Sequence, residues 1–215
     1  MNTHGINISR NPTHLRKHQL KKRNSETRHT SGQKSSTLIF DLEANGLYRD
    51  VTRIHCIAYY DPEIKEILSY NDECPGKGMS SPIVRAIQYI EQADVIIGHN
   101  IIGYDLPVIS KLYPFFQPRG TIIDTLLLSR IYHPRLMQVD QERNWKHMPL
   151  QLYGRHSLEA YGYRLGEYKG EYGKTTDWKE WSQEMEDYCI QDVAVTKKLC
   201  DHFHPYLNGS KWSTR

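Results

Sequence analysis

Apolar and polar positions along the chain fall into blocks with the period of either a strand or a helix. Residues 36–47 (STLIFDLEANGL) open with an apolar run and then alternate, so that Phe40 and Leu42 face one side of an extended chain and Asp41 and Glu43 the other. Asn45-Gly46 reads as the turn that ends this strand. Residues 53–60 (RIHCIAYY) and 65–70 (KEILSY) read as two more strands, joined at Asp61-Pro62 into a meander. Ser81-Pro82 supplies the N-cap and first position of a helix on which Ile83, Ile87 and Ile90 share a face. Residues 93–98 (ADVIIG) form the short continuous apolar run of a strand buried on both faces, and it ends at His99-Asn100. A helix from Asp105 to about residue 113, a strand at 121–123 and a helix from Asp124 to about residue 132 follow. Residues 134–155 lack a clean period and read as a long loop, of the kind that is functional or mobile inside a domain. Residues 157–162 read as a short helix. The echo GEYKGEY at 166–172 is too short for a structural repeat. From Ser182 as N-cap a long helix runs to about residue 203, with Met185, Cys189, Val193, Thr196 and Leu199 near helical spacing. A meander followed by strands interleaved with helices predicts an α/β fold, a mixed β-sheet flanked by helices.

At 215 residues the chain has room for one ordinary domain with a sizeable core. The net charge of +3 is unevenly spread: residues 1–36 hold eight Lys and Arg against the single acid Glu26, a balance of +7, which leaves the remainder at −4. With only isolated apolar residues, 1–36 reads as a disordered basic arm, 37–207 as the folded domain and 208–215 as a flexible tail. The arm's composition also suits an organelle transit peptide or a vector-derived leader, and the residues do not decide among them. No stretch is long or apolar enough to span a membrane and no secretory signal opens the chain. Cys56, Cys74, Cys189 and Cys200 form no C-x-x-C pair, which fits reduced thiols in an intracellular protein.

Asp41 and Glu43 are the candidate chemistry. On one face of a strand their Cα atoms lie about 6.6 Å apart, within reach of a shared divalent ion that would relieve their repulsion. The alternative is a strand that simply turns polar at the surface. Asp105 follows a buried strand and a polar turn, at the carboxyl edge where open α/β sheets hold their sites, or else caps the next helix. Tyr188 and Asp192 are four residues apart and share a helical face. Asp192 is a poor helix former among apolar neighbours; the alternative is a solvated stripe.

The ordered set Asp41-x-Glu43, Asp105 and Tyr188-x-x-x-Asp192 resembles the DEDD superfamily of 3′ to 5′ exonucleases, in the subclass with tyrosine before the last aspartate. Asp187 stands where the other subclass has histidine. DLEANGL, IDTLLLSR, HSLEAYGYRLGEYKGEY and YCIQDVAVTK are similar to the proofreading exonuclease domain of family A DNA polymerases from short-tailed phages, over roughly residues 37–205. The resemblance does not cover the arm and stops where a polymerase would continue. It implies an RNase H-like fold and two divalent metal ions, Mg or Mn. Asp41 would bridge both ions, Glu43 and Asp192 would complete the first site, Asp105 would hold the second through water, and Tyr188 would orient the attacking water. Leu47 matches an apolar wedge against the terminal base, and Asn100 and Tyr104 match contacts to the single-stranded end.

Other conspicuous residues read as structural. His99 reads as a hydrogen-bonded strand end, Asp124 and His156-Ser157 as helix starts, and Trp145, Trp178 and Trp181 as packing or loop anchors. Arg164 and Lys169 read as a solvated face. The leading expectation is a metal-dependent exonuclease on single-stranded DNA 3′ ends, with a separate DNA polymerase subunit as a possible partner, in viral replication or DNA processing. An exoribonuclease on the same fold and a catalytically idle nucleic-acid-binding module are the alternatives.

Overall fold

A computed structural model describes residues 36–73, 81–167 and 178–209. The arm expected over 1–36 lies outside the described residues except for Ser36, as do Cys74, Lys169, most of the GEYKGEY echo and the tail beyond residue 209. Among the described residues five strands form one mixed sheet in the order β3-β2-β1-β4-β5. β1 (Thr37–Ala44), β2 (Ile54–Asp61) and β3 (Glu66–Asn71) are the antiparallel meander. β4 (Val95–Gly98) lies parallel to the other side of β1, and β5 (Thr121–Asp124) parallel to β4. The charged strand β1 is therefore central, with neighbours on both sides.

Six α-helices accompany the described sheet: α1 (Pro82–Gln92), α2 (Asp105–Leu112), α3 (Thr125–Tyr132), α4 (Leu136–Arg143), α5 (Leu158–Leu165) and α6 (Gln183–Leu207). α2 is the crossover that a parallel β4–β5 pair requires. The start signals act as read: side chains of Ser81, Asp124, Ser157 and Ser182 accept from the backbone N–H of Val84, Leu126, Ala160 and Met185. One face of the sheet buries Phe40 and Leu42 of β1 and Ile57 of β2 against Ile83, Ile87 and Ile90 of α1 and Ile109 of α2. On the opposite face Cys56 and Ala58 of β2 meet Cys189 and Val193 of α6. A second row of α6, Val195, Leu199 and Phe203, packs on Leu158 and Tyr161 of α5. Two apolar rows lock α6 between sheet and helices. No described helix is long and apolar enough to cross a membrane.

The long loop expected at 134–155 is instead α4 followed by a 3-10 turn at Leu150–Leu152. Its pattern misleads because α4 exposes Met137 and Val139 while burying an acid, Asp140. That carboxylate accepts from Trp145 Nε1 at 2.9 Å, Gly154 N at 2.8 Å, and Arg164 Nε and Nη2 at 3.0 and 2.6 Å. Arg164 Nη1 then donates to Arg155 O. Arg164 is thus no solvated residue, its side chain being 6% exposed. A buried ion pair, not an apolar stripe, organises the segment, while Trp145 is the loop anchor expected of it. The guanidinium and the donors around it hold the Asp140 carboxyl below the ordinary carboxylate value, outweighing the upward push of burial.

Breaking a buried pair leaves an uncompensated charge, whereas exposed pairs contribute little. Arg164→Ala is expected to cost about 3–5 kcal/mol in chemical denaturation. Arg53→Ala, which breaks the surface pair with Glu73, should cost about 1 kcal/mol or less. Equal costs would contradict this account of the segment.

Candidate active site

At the carboxyl end of β1, Asp41 and Glu43 project on the face that α6 covers, while Leu42 between them is buried in the opposite core. One carboxylate oxygen from each of Asp41, Glu43 and Asp192 lies within 4.8 Å of the others. Two oxygens that ligate one hard cation at about 2.1–2.4 Å lie at most about 4.2–4.8 Å apart, so the trio fits a single Mg, Mn or similar ion. Asp105 is not among the three. It is the first residue of α2 and buried, and its Oδ1 accepts from Leu42 N at 3.2 Å, directly behind the pair on β1. Burial above all, with the charges of Asp124 and Asp192, raises its carboxyl to about 7 from the ordinary 3.8, against the lowering by hydrogen bonds from its own amide and from Leu42.

The four acids, Tyr188 and Tyr104 line one cavity of about 240 Å³ with Leu42, His99, Asn100 and Trp178. The structure thus brings the four acids and Tyr188 to one cavity. Asp187, by contrast, faces outward and accepts from Gln183 Nε2. The thiol of Cys189 donates toward Asp41 O at 3.5 Å, and burial raises its pKa well above the ordinary thiol value.

Loops on either side are held by polar ties. Asp124 caps α3 as expected, and its carboxylate also accepts from Asn100 N at 2.9 Å and Ile102 N at 3.1 Å. This fixes Asn100 in a left-handed conformation, φ 65°, that Asn tolerates better than most residues. A side chain at Gly98 would collide with Ile101 and with Phe40 O, so the close approach of β4 to β1 needs glycine there. His99 Nδ1 meets Thr125 Oγ1 at 2.9 Å, the strand-end role expected of it. Tyr104 donates its hydroxyl to Gly46 O at 2.6 Å, tying α2 to the turn that carries Leu47; burial and the charges of Asp105, Glu43 and Asp41 push its pKa up to about 12. Leu47 does not line the cavity but stands 77% exposed beside it. Lys111 Nζ, donating to Tyr48 O and Arg49 O, pins the same loop.

Two further residues belong here, His55, for which the sequence suggests no role, and Trp178, expected only to pack or anchor a loop. The β1–β2 register slips between Glu43 and Ala44, which leaves His55 as the extra residue of a β-bulge. His55 is buried, and its Nε2 lies 3.0 Å from Trp178 O. Trp178, read as packing, lines the cavity and sets its ring edge against Tyr188. The available signal was a lone His inside the apolar run RIHCIAYY.

The profile of the RNase H superfamily matches residues 38–204. The DNA-directed DNA polymerase of Escherichia phage T7 is 35% identical over 187 residues, 76% of this chain and 26% of that polymerase. The corresponding enzyme of Enterobacteria phage T3 is 36% identical over 188 residues, with the same coverage. The chain thus spans about a quarter of the length of these curated relatives. Among solved structures, Brucella melitensis NrnC superposes with a TM-score of 0.53 at 17% identity, covering 83% of this chain and 76% of NrnC. A structure described as the apo form of the nuclease gives 0.52 at 16% identity, covering 80% of this chain and 74% of the other.

The raised pKa of Asp105 is a statement about stability. In the absence of cations the fold keeps a proton that the unfolded chain releases above 3.8, so stability from this group is full below that value and is lost as pH rises to about 7. Between pH 5 and 8 the loss amounts to about 2–3 kcal/mol. Asp105→Asn retains an oxygen for Leu42 N without the charge and should remove that pH dependence in urea titrations with chelator present. An unchanged pH dependence would place the proton elsewhere.

Proposed function

The chain belongs to the RNase H superfamily, and on that premise we propose that it is a divalent-metal-dependent nuclease, specifically a 3′ to 5′ exonuclease on single-stranded DNA ends. The observation that carries the reading is the closure of Asp41, Glu43 and Asp192 within 4.8 Å, with Asp105 behind them and Tyr188 on the same helical face as Asp192. Sequence similarity to two phage DNA polymerases supports it.

Asp41, Glu43 and Asp192 would hold one ion, and Asp41 with Asp105 would help hold a second. Such ions supply an activated water and stabilisation of the leaving 3′ oxygen. The Tyr188 hydroxyl orients that water for in-line attack on the terminal phosphodiester. Leu47, on its pinned loop, wedges against the terminal base, and Asn100 and Tyr104 contact the single-stranded end. Wedging and stacking tolerate any base, as an enzyme that removes whatever stands at the terminus requires. Residues 37–207 form the catalytic domain in this reading, the basic arm 1–36 helps hold a polyanionic strand, and a polymerase is its working partner. The experiment is a single strand labelled at its 3′ or its 5′ end, as DNA or RNA, with Mg, Mn or EDTA. Stepwise loss of the 3′ label first, from DNA, with metal only, is the expected result; faster loss from RNA would move the enzyme to the ribonucleases.

Asp41→Ala with Glu43→Ala is expected to abolish cleavage while leaving the fold intact, and removal of like charges should leave the cation-free melting temperature unchanged or raised. A double variant that cleaves at the wild-type rate would end the metal assignment. Tyr188→Phe keeps the ring and should lower kcat at least about a hundredfold with cation affinity by calorimetry nearly constant. A parallel fall in cation affinity would make Tyr188 a ligand, not an orienter.

A further inference from the structure

His55 is an expensive residue for its place. It is 1% exposed, and Nδ1 has no hydrogen-bond partner among the described residues. An unsatisfied buried polar atom destabilises a fold, and an apolar side chain of similar size would not. The other nitrogen, Nε2, donates to Trp178 O at 3.0 Å across 123 positions of sequence. The bulge that makes this possible opens at the step after Glu43, the second acid of the centre. Trp178 in turn places its ring at 72° to that of Tyr188, with centroids 6.3 Å apart, and both line the acid cavity.

We infer that Trp178, latched by His55, is a positioning residue that sets the orientation of the Tyr188 ring and hence of its hydroxyl. The hydroxyl oxygen lies on the Cβ–Cγ axis, so rotation about Cα–Cβ decides where it sits, and the ring plane decides only the direction in which its O–H points. Helix α6 fixes where the side chain starts, whereas the Cα–Cβ rotation and the ring plane are both set by what the ring meets, here the Trp178 ring edge to face. The latch ties that ring to the strand pair that presents Asp41 and Glu43, so water orientation and metal binding share one reference. This rests on the assignment of Tyr188 to water orientation.

The test is a double-mutant cycle on the full chain, with single-stranded DNA and Mg. Trp178→Leu should lower kcat about tenfold, the scale of a lost edge-to-face pair, with KM and calorimetric cation affinity nearly constant. Trp178→Phe, which can keep an edge contact, should recover most of the loss. His55→Leu should lower kcat in the same direction while its melting temperature stays level or rises, the opposite of what a merely structural histidine would show; it also serves if Trp178→Leu does not fold. In a Tyr188→Phe background each loss should disappear, because there is no hydroxyl left to orient. Losses that persist in full in that background, or a fall in cation affinity to match the rate, would overturn the inference and leave Tyr188 in its role. A Tyr188→Phe enzyme with wild-type kcat would instead remove the role of Tyr188 and this inference with it.

Discussion

Carboxylates brought together at one end of a sheet repel each other, and much of the architecture answers that repulsion. Two full charges at 4.8 Å and an effective dielectric of 20 repel by about 3 kcal/mol, and three such pairs come to roughly the whole net stability of a domain. The chain relieves this in two ways. Asp105, the deepest acid, retains a proton up to about pH 7. Asp41 and Glu43 are half-buried at a cavity mouth, where solvent reaches them and a cation would have access. What remains is offset by apolar burial on both faces of the same strand. Phe40 and Leu42 anchor β1 on one side, and Cys56, Ala58, Cys189 and Val193 seal the other immediately beside the charges.

Rigidity at the site comes from long-range polar ties laid over that core. Asp124 holds the turn at Asn100 and the start of α3 with one carboxylate. Tyr104 and Lys111, both presented by the α2 segment, hold the turn of Leu47 through backbone carbonyls. The Asp140–Arg164 pair fixes the backbone of 152–155. Each tie joins segments far apart in sequence, and for Asp124 and Arg164 the local role, as a cap or a solvated charge, is all that neighbouring residues disclose.

This explains which parts were legible in the sequence. Strands of period two, the isoleucine stripe of α1 and the serine caps at 81, 157 and 182 are local signals, and the structure has them where the pattern put them. The acids stood out because Asp41 and Asp192 interrupt apolar runs, and the motif spacing grouped them. α4 was missed because one of its two buried positions is an acid, Asp140, whose partner is 24 residues away, and Arg164 was misread for the same reason. His55 escaped because a bulge is a mismatch between two strands and leaves no trace in either one, and the tie of Trp178 to it spans 123 positions. A polar residue in a strand read as fully apolar was the one available hint.

The centre also divides between parts that move together and parts that do not. Asp192 and Tyr188 sit one turn apart on α6, so any shift of that helix carries both. Asp41 and Glu43 ride on the central strand, which cannot shift without disturbing both its neighbours in the sheet. The distance between helix and strand therefore decides whether three oxygens can close on one ion. Two contacts set that distance, the Cys189–Val193 row against Cys56 and Ala58, and the Cys189 thiol on Asp41 O. A small thiol suits this position better than a larger apolar group. It fills little volume, it can donate to the carbonyl beneath it, and the burial that raises its pKa keeps it neutral beside the carboxylates. An ionised group there would add a fourth negative charge to the place where the fold least tolerates one.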